Sequence, residues 1–469
     1  MCIRIWGIIW GLCCCLIASG FAGEQPIPVG SQRILFVDDV LIDRQSGTAL
    51  QPHDPQAREV ILTCDAPWEG NISAYYTFFE DDGLFRVYYR GSHFDKKPLH
   101  EVTCYAESKD GLHWVKPQLG LFELNGSKEN NIIWMSSEND YTTHNFTPFK
   151  DLNPDCPVES RYKALAGEKH SGGLWAFKSS DGIHWSLLHP SPVITDGYFD
   201  SQNLAFWDTK RKAYVSYYRD FRKPGSIRDI KVATSSDFQH WTTGQYLNYG
   251  DAPDEQLYTN AIRQYPRASQ LYVGFPTRYQ PKTQQVEPIL MTSQDGFHFH
   301  RWSKPLIPIT APQDRDGNRS NYMANGLLFL PGNEREMSVF GTEAYYAGPG
   351  SRVRRFTFRT DGFVSVHAGG NGGDMVTKPF TFTGNQLMLN YACKQGGQLQ
   401  VEVQNADGVP IPGWTLEECS PLHGDQIEQG VQWTSGNPLS SLAGRPVRLK
   451  FVMRNADLYA LRFGAAIQN

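Results

Sequence analysis

The chain is predicted to be all-β: a five-bladed β-propeller followed by a C-terminal β-sandwich. Three observations predict it. First, between Tyr198 and Trp241 four short runs (residues 204–207, 213–218, 230–234 and 240–241) alternate with turn residues and carry no helical period, as in one four-stranded antiparallel sheet. Second, Asp110, Asp181, Asp237, Asp295 and Asp361 sit in tight turns about 55–70 residues apart, and the first four follow a Ser two residues upstream and precede an aromatic residue. Third, the positions where each unit's first strand begins, Ala74, Asn145, Asn203, Asn260 and Asn325, drift through nearly the same series of intervals. Five divergent copies of one sheet are expected to pack radially, because an isolated four-stranded sheet leaves an apolar face wet.

Taken in order, residues 1–22 are expected to be a signal peptide: Arg4 gives a charged start, residues 5–17 an apolar core, and Ala18 to Gly23 the small residues at which cleavage occurs. A secreted or periplasmic protein follows, with no membrane contact after cleavage. Cys13, Cys14 and Cys15 suggest a lipid anchor, but Gly11-Leu12 match its cleavage requirement poorly. Residues 23–59 read as an N-terminal strand segment, of which residues 32–43 would complete the last blade or cap the propeller. Residues 60–370 hold the five repeats, and Gly369-Gly370-Asn371-Gly372-Gly373 reads as a linker. Residues 375–469 alternate differently, with strands at 387–391, 398–403, 447–452 and 458–463, and read as the sandwich.

Composition narrows the function. A net charge of −5 over 469 residues, with no Lys/Arg cluster, argues against nucleic acid. Beyond the leader lie Cys64, Cys104, Cys156, Cys393 and Cys419, an odd set unsuited to a disulfide framework, although Cys393 and Cys419 could pair. No thiolate zinc motif, G-x-S-x-G or H-E-x-x-H occurs, so no metal or other cofactor is expected.

In an up-and-down blade, the start of strand one, the loop between strands two and three and the link to the next blade share one face. The Ser-x-Asp turns fall on the other face and read as hairpins whose Asp accepts turn amides. On the first face the sequence places Glu69, Asp140, His144, Asp200, Asp254, Glu255, Asp316 and Arg319 before first strands, and Arg90, Arg219, Asp220, Arg278 and Glu343 after second strands. Trp68, Tyr141, Tyr198, Tyr258 and Tyr322 lie beside them. Charges and rings converging on one funnel suit a carbohydrate partner.

The Ser-x-Asp-x-x-His-Trp pattern of Ser108 to Trp114, and Tyr88-Tyr89-Arg90 after an Asp-Gly turn, resemble the five-bladed glycoside hydrolases of the invertase and arabinanase group, families 32 and 43. The resemblance implies a propeller enzyme cleaving glycosidic bonds with two carboxyls. The positions matching that group's carboxylates hold Ala74, Asn145 and Asn203, none of them an acid. Either nearby acids act from shifted positions, or the chemistry differs, or the site only binds. The leading expectation is a glycosidase with Asp200 as nucleophile or base, Glu255 as acid and Glu69 as a third carboxyl. Arg219, Arg90, His144, Asn203, Asn260, Arg278 and Glu343 would bind substrate. A non-catalytic carbohydrate-binding propeller is the alternative, and a sialidase-like enzyme the third reading.

Overall fold

The computed structural model describes residues 25–93, 101–135, 141–222, 227–309 and 321–465. The expected signal peptide with Cys13 to Cys15, and Asp140, Asp316 and Arg319, lie outside the described residues. Five sheets of propeller type follow one another. Blade 1 is Ala74–Asp81, Leu84–Ser92, Glu101–Ser108 and Ile132–Met135, and blade 2 is Thr147–Lys150, Tyr162–Ala166, Trp175–Ser179 and Ser186–Leu187. Blade 3 is Leu204–Asp208, Ala213–Arg222, Ile227–Ser235 and Gln245–Tyr246. Blade 4 runs through Arg263–Tyr265, Ala268–Gly274, Gln285–Ser293 and His300–Pro305, with Thr277–Gln280 extending its central hairpin.

Blade 5 is closed by the other end of the chain. Its inner segment bridges Met323 to Gly341 and Leu328 to Ser338, and its middle strands are Glu336–Glu343 and Arg352–Arg359. The outer strand is Gln56–Thr63, antiparallel to Arg352–Arg359. Residues 32–43, expected at this closure, lie elsewhere. Large rings fill the spaces between blades because both faces of a blade are covered: Phe78 stacks on Phe340 at 4.0 Å, Phe149 meets Phe238 at 5.5 Å, and Tyr217 meets Phe299 at 6.3 Å.

Four turns carry one repeated hydrogen-bond pattern. In the first, Asp110 Oδ1 accepts the Leu112 and His113 amides at 2.8 Å each and Ser108 Oγ at 2.9 Å, while Oδ2 meets His113 Nδ1 at 2.7 Å. Asp181, Asp237 and Asp295 repeat it with His184, His240 and His298. Hydrogen bonds to the ionised form hold all four carboxyls below their ordinary pKa, Asp181 and Asp295 at about 2 even against partial burial. The motif builds turns.

Asp361 breaks the pattern. It is fully buried, accepting from Tyr265 Oη at 2.7 Å, Arg267 Nε at 3.0 Å, Asn390 Nδ2 at 3.1 Å and Arg33 Nη1 at 3.2 Å. After it the chain leaves the propeller: Val364–Ala368 pairs with Thr48–Pro52 and Val447–Gly464 in a ten-stranded sheet. The glycine run 369–373, expected as a linker, is therefore a short turn inside that sheet: Val364–Ala368 and Gly373–Thr377 follow one another in the same direction along Val447–Gly464, each antiparallel to it.

The ten-stranded sheet folds over its own core, which runs from Val29 and Phe36 to Phe451 and Phe463. Gln386–Asn405 and Val447–Gly464 pair along nearly their whole length, with a register shift between Cys393 and Gln398. Gly397 permits that bend, since a Cβ there would lie 2.4 Å from the Asn455 carbonyl oxygen. The N-terminal segment supplies Ile27–Gly30, Ile34–Leu35, Ile42–Ser46 and Thr48–Pro52 to this sheet, so residues 32–43 belong to the sandwich. Leu35, Val37, Phe363, Val364 and Ala460 then pack on Tyr265, Phe275 and Phe358 of blades 4 and 5. Cys393 and Cys419 are both free thiols.

Candidate functional site

The funnel face is set by strand direction: first strands start there, second strands end there and third strands start there. Blade 3 enters through Asp200, whose side chain is 44% exposed and lies between three blades. From its own blade Arg219 Nη1 reaches the Asp200 carbonyl at 2.6 Å and Oδ2 at 3.4 Å. From blade 4 Tyr258 Oη donates to Oδ2 at 3.2 Å, and from blade 2 His144 Nε2 stands 3.8 Å from Oδ1. Burial raises the carboxyl's pKa, but the nearby His144, the Arg219 charge and the Tyr258 hydrogen bond outweigh it and leave it below the ordinary value.

His144 is held from behind. Its Nδ1 meets Glu101 Oε2 at 3.1 Å, and Glu101 Oε1 also accepts the Asn145 amide at 3.2 Å. Burial pulls the imidazole pKa down, yet the Glu101 charge and hydrogen bonds to Asp200 and Glu101 raise it to about 9. Glu101 answers in kind: burial opposes ionisation, but His144 and Arg90 lower its pKa to about 2. Asn145 Nδ2 lies 2.9 Å from His144 Nε2 and can donate to it only when the ring is neutral. One nitrogen thus faces an amide donor in the neutral state and the Asp200 carboxylate in the charged state.

Beside this Glu101–His144–Asp200 line stands a set of buried rings. Tyr322 meets Tyr258 at 5.7 Å, Tyr345 at 5.6 Å and Tyr75 at 6.3 Å. Arg90 lies 4.7 Å over the Tyr75 ring, donates to Tyr345 Oη at 2.8 Å and to Asn145 Oδ1 at 3.1 Å. Arg219, 2% exposed, is packed among Tyr198, Phe221 and Tyr258 at 4.9–5.2 Å. At the lip, Tyr198 and Tyr346 leave 39% and 40% of their surface open. The floor is closed by Gln202, whose Nε2 crosses to blade 1 and donates to the Tyr75 and Tyr76 carbonyls at 3.1 Å each and to Thr77 Oγ1 at 3.0 Å.

Of the residues singled out from sequence, Asp200, Arg219, Arg90 and His144 come together. Tyr198, Tyr258 and Tyr322 stand with them, while the remaining carboxyls, Arg278, Asn203 and Asn260 take different places. Glu69 is buried, with Oε1 accepting from Tyr89 Oη at 2.5 Å and Oε2 from Lys116 Nζ at 2.6 Å and the Ala66 amide at 2.9 Å. Its carboxylate is occupied by the fold. Glu255 faces Arg278 at 2.7 Å and Arg301 at 3.7 Å, and Arg278 turns its other edge to Glu287 at 2.7 Å. Glu255 is thus engaged by the two guanidiniums and does not stand beside Asp200. Glu343 is fully buried against Arg352 at 2.8 Å and Arg354 at 2.5 Å. Asn203 and Asn260 spend their amides on backbone: Asn203 binds the Phe199 and Ser201 carbonyls and the Arg219 amide, and Asn260 binds the Ile262 amide and the Gln202 and Tyr217 carbonyls.

Asn325 also differs from expectation. Blade 5 enters at Asn321, whose amide donates to the Thr342 carbonyl at 2.8 Å, whereas Asn325 lies deeper and exchanges backbone hydrogen bonds with Tyr76 and Phe78 of blade 1. Glu101 was absent from the sequence reading, although it opens a third strand and third strands start on the funnel face. Among the described residues no three His, Cys, Asp or Glu side chains gather as metal ligands.

No family model and no curated protein matches the chain. Similar solved structures include a protein titled glycoside hydrolase, 13% identical, covering 65% of this chain and 92% of its own, with a TM-score of 0.48. An N-acetylgalactosamine deacetylase from F. plautii, in complex with blood group B trisaccharide, is 14% identical over 67% and 96% of the two chains, with a TM-score of 0.47. An endo-arabinase from Bacteroides thetaiotaomicron is 8% identical over 65% and 99%, with a TM-score of 0.43.

Proposed function

We propose that the funnel binds a carbohydrate and hydrolyses a glycosidic bond beside Asp200. One observation carries this reading: a half-exposed carboxylate at the meeting point of three blades stands 3.8 Å from an imidazole that Glu101 backs at 3.1 Å, an arrangement that favours carboxylate and imidazolium. Asp200 is then the nucleophile or the base, as an anion beside Arg219 requires. The proton for the leaving oxygen comes from His144, whose charge Glu101 supports. The partly exposed Tyr198 and Tyr346 stand at the lip, where a sugar would meet them. This departs from the two-carboxylate expectation in the identity of the acid and in its spacing, 3.8 Å from Asp200 where a carboxyl pair stands about 5 Å or more apart. Export accompanies the proposal, supported by the leader-like residues 1–22, and N-terminal sequencing of the secreted protein tests it.

A second reading is favoured by a specific observation: both described funnel carboxyls on the Glu101–His144–Asp200 line are ionised, and neither is poised as an acid. That suits a propeller that binds sugars without cleaving them. Calorimetry with a panel of oligosaccharides, followed by product analysis of every ligand that binds, separates the two. Released sugars support hydrolysis; tight binding with no product after prolonged incubation supports the binding protein.

A further inference from the structure

The propeller axis has a second opening, at the end opposite the funnel. There the first strands run out and the five blades enclose a cavity of about 650 Å³, separated from the funnel by Gln202 and the backbone it binds. Its wall is largely apolar, with Phe79 from blade 1, Phe149 from blade 2, Phe206 from blade 3 and Leu327 and Phe329 from blade 5. Blade 4 contributes Arg263. Its backbone pairs with Val273, and its side chain lines the cavity.

Arg263 is the anomaly in this wall. Its Nε and Nη1 are shut off from water with no hydrogen-bond partner, and no ion pair joins it to an acid among the described residues. A guanidinium presents five donors in a planar fork, and leaving them unmet inside a protein is costly. Arg219, by contrast, has the Asp200 carbonyl and three rings, and Arg33 has Asp361 and Glu428; Arg301, outside this cavity, shares the unmet Nε and Nη1 but keeps Glu255 at 3.7 Å. Of the other charged side chains in the wall, Lys150 is engaged with Asp81 and Asp82 and Glu80 with the Gly83 amide, while Glu334 lies at the rim formed by blade 5. Burial lowers the Arg263 pKa only to about 10, so the group remains charged at neutral pH.

We propose that this cavity is a binding site for a small organic anion, a carboxylate carried on an apolar or aromatic body, with Arg263 taking the carboxylate and the phenylalanines the body. The volume lies within the range of ordinary ligand sites, and a carboxylate entering the cavity pairs with the guanidinium through Nη2, the nitrogen not shut off from water. Because Gln202 closes the axis, the site is independent of the funnel and of the reaction proposed there.

The test uses the full-length mature protein and titration calorimetry with 4-phenylbutyrate, its neutral amide and inorganic phosphate. The carboxylate is expected to bind at least about tenfold tighter than the amide, and phosphate not to bind measurably. Arg263→Met should abolish the preference for the carboxylate while melting no lower than the wild type, since it removes an unmet buried charge. Should that variant be unstable, Arg263→Lys and Arg263→Gln decide instead: the first keeps the preference and the second loses it. Equal binding of acid and amide, phosphate binding as tight as phenylbutyrate, or no binding of phenylbutyrate, phenylacetate or octanoate at millimolar concentration each overturns the proposal.

Discussion

Replacing Glu101 with Gln isolates the electrostatic design of the funnel. Glutamine keeps an oxygen for His144 Nδ1, 3.1 Å away in the native protein, so the ring stays oriented while the charge is lost. At that distance a unit charge is worth about 5 kcal/mol at an effective dielectric near 20. The imidazole sits at about 9 against an ordinary 6.5, a shift equivalent to about 3.4 kcal/mol at 1.36 kcal/mol per unit. Burial and Arg90 both push the other way, and only Asp200 would remain to oppose them. The His144 pKa in Glu101→Gln should therefore fall by about two units or more, to about 6.5 or below. Carbon-detected titration of the imidazole Cε1–H signals reads it directly, with His144→Gln identifying the resonance among the 13 histidines. The linkage has a definite sign. A raised imidazole pKa stabilises the fold fully below pH 6.5 and the contribution fades as pH climbs through 9, so the wild type should lose stability over that window and the variant should not. A change of less than half a unit in the His144 titration would refute the electrostatic account of this line.

Two further substitutions separate structure from chemistry. Asp361→Ala leaves Arg33 and Arg267 facing a buried gap between propeller and sandwich, so chemical denaturation should show a loss of about 3–5 kcal/mol; a loss under about 1 kcal/mol would mean the hub is dispensable. Glu69→Gln should lower stability by about 1–3 kcal/mol through Tyr89 and Lys116, yet leave turnover within about twofold. A large loss of kcat with intact stability would instead return Glu69 to the reaction.

The blades were legible because two marker series, one of turns and one of strand starts, drift together along the chain. The four Ser-x-Asp turns announced themselves as structural for the same reason, since a motif repeated in four of five blades serves the blade. Asp200 was legible from position alone, immediately before an inner strand. What sequence could not reveal was cross-strand pairing. Glu343 lies on the funnel face, but the register of Arg352–Arg359 brings Arg352 and Arg354 onto its carboxylate. Glu69 is likewise taken by Lys116, forty-seven residues away. The closing strand Gln56–Thr63 fell across the expected boundary between residues 23–59 and 60–370, because nothing local marks a strand whose partner lies near residue 355. Glu101 was missed for a simpler reason: starts of first strands and ends of second strands were searched for charges, and starts of third strands were not.

The central claim rests on the Asp200 carboxylate, and Asp200→Asn tests it most directly, because the amide keeps the shape and the Tyr258 contact while removing the charge. With a glycoside that the wild type cleaves, single-turnover rates and ligand dissociation constants are measured side by side. Hydrolysis should fall by about three powers of ten or more while the dissociation constant stays within about threefold. Turnover within tenfold of the wild type in the folded variant would contradict the account.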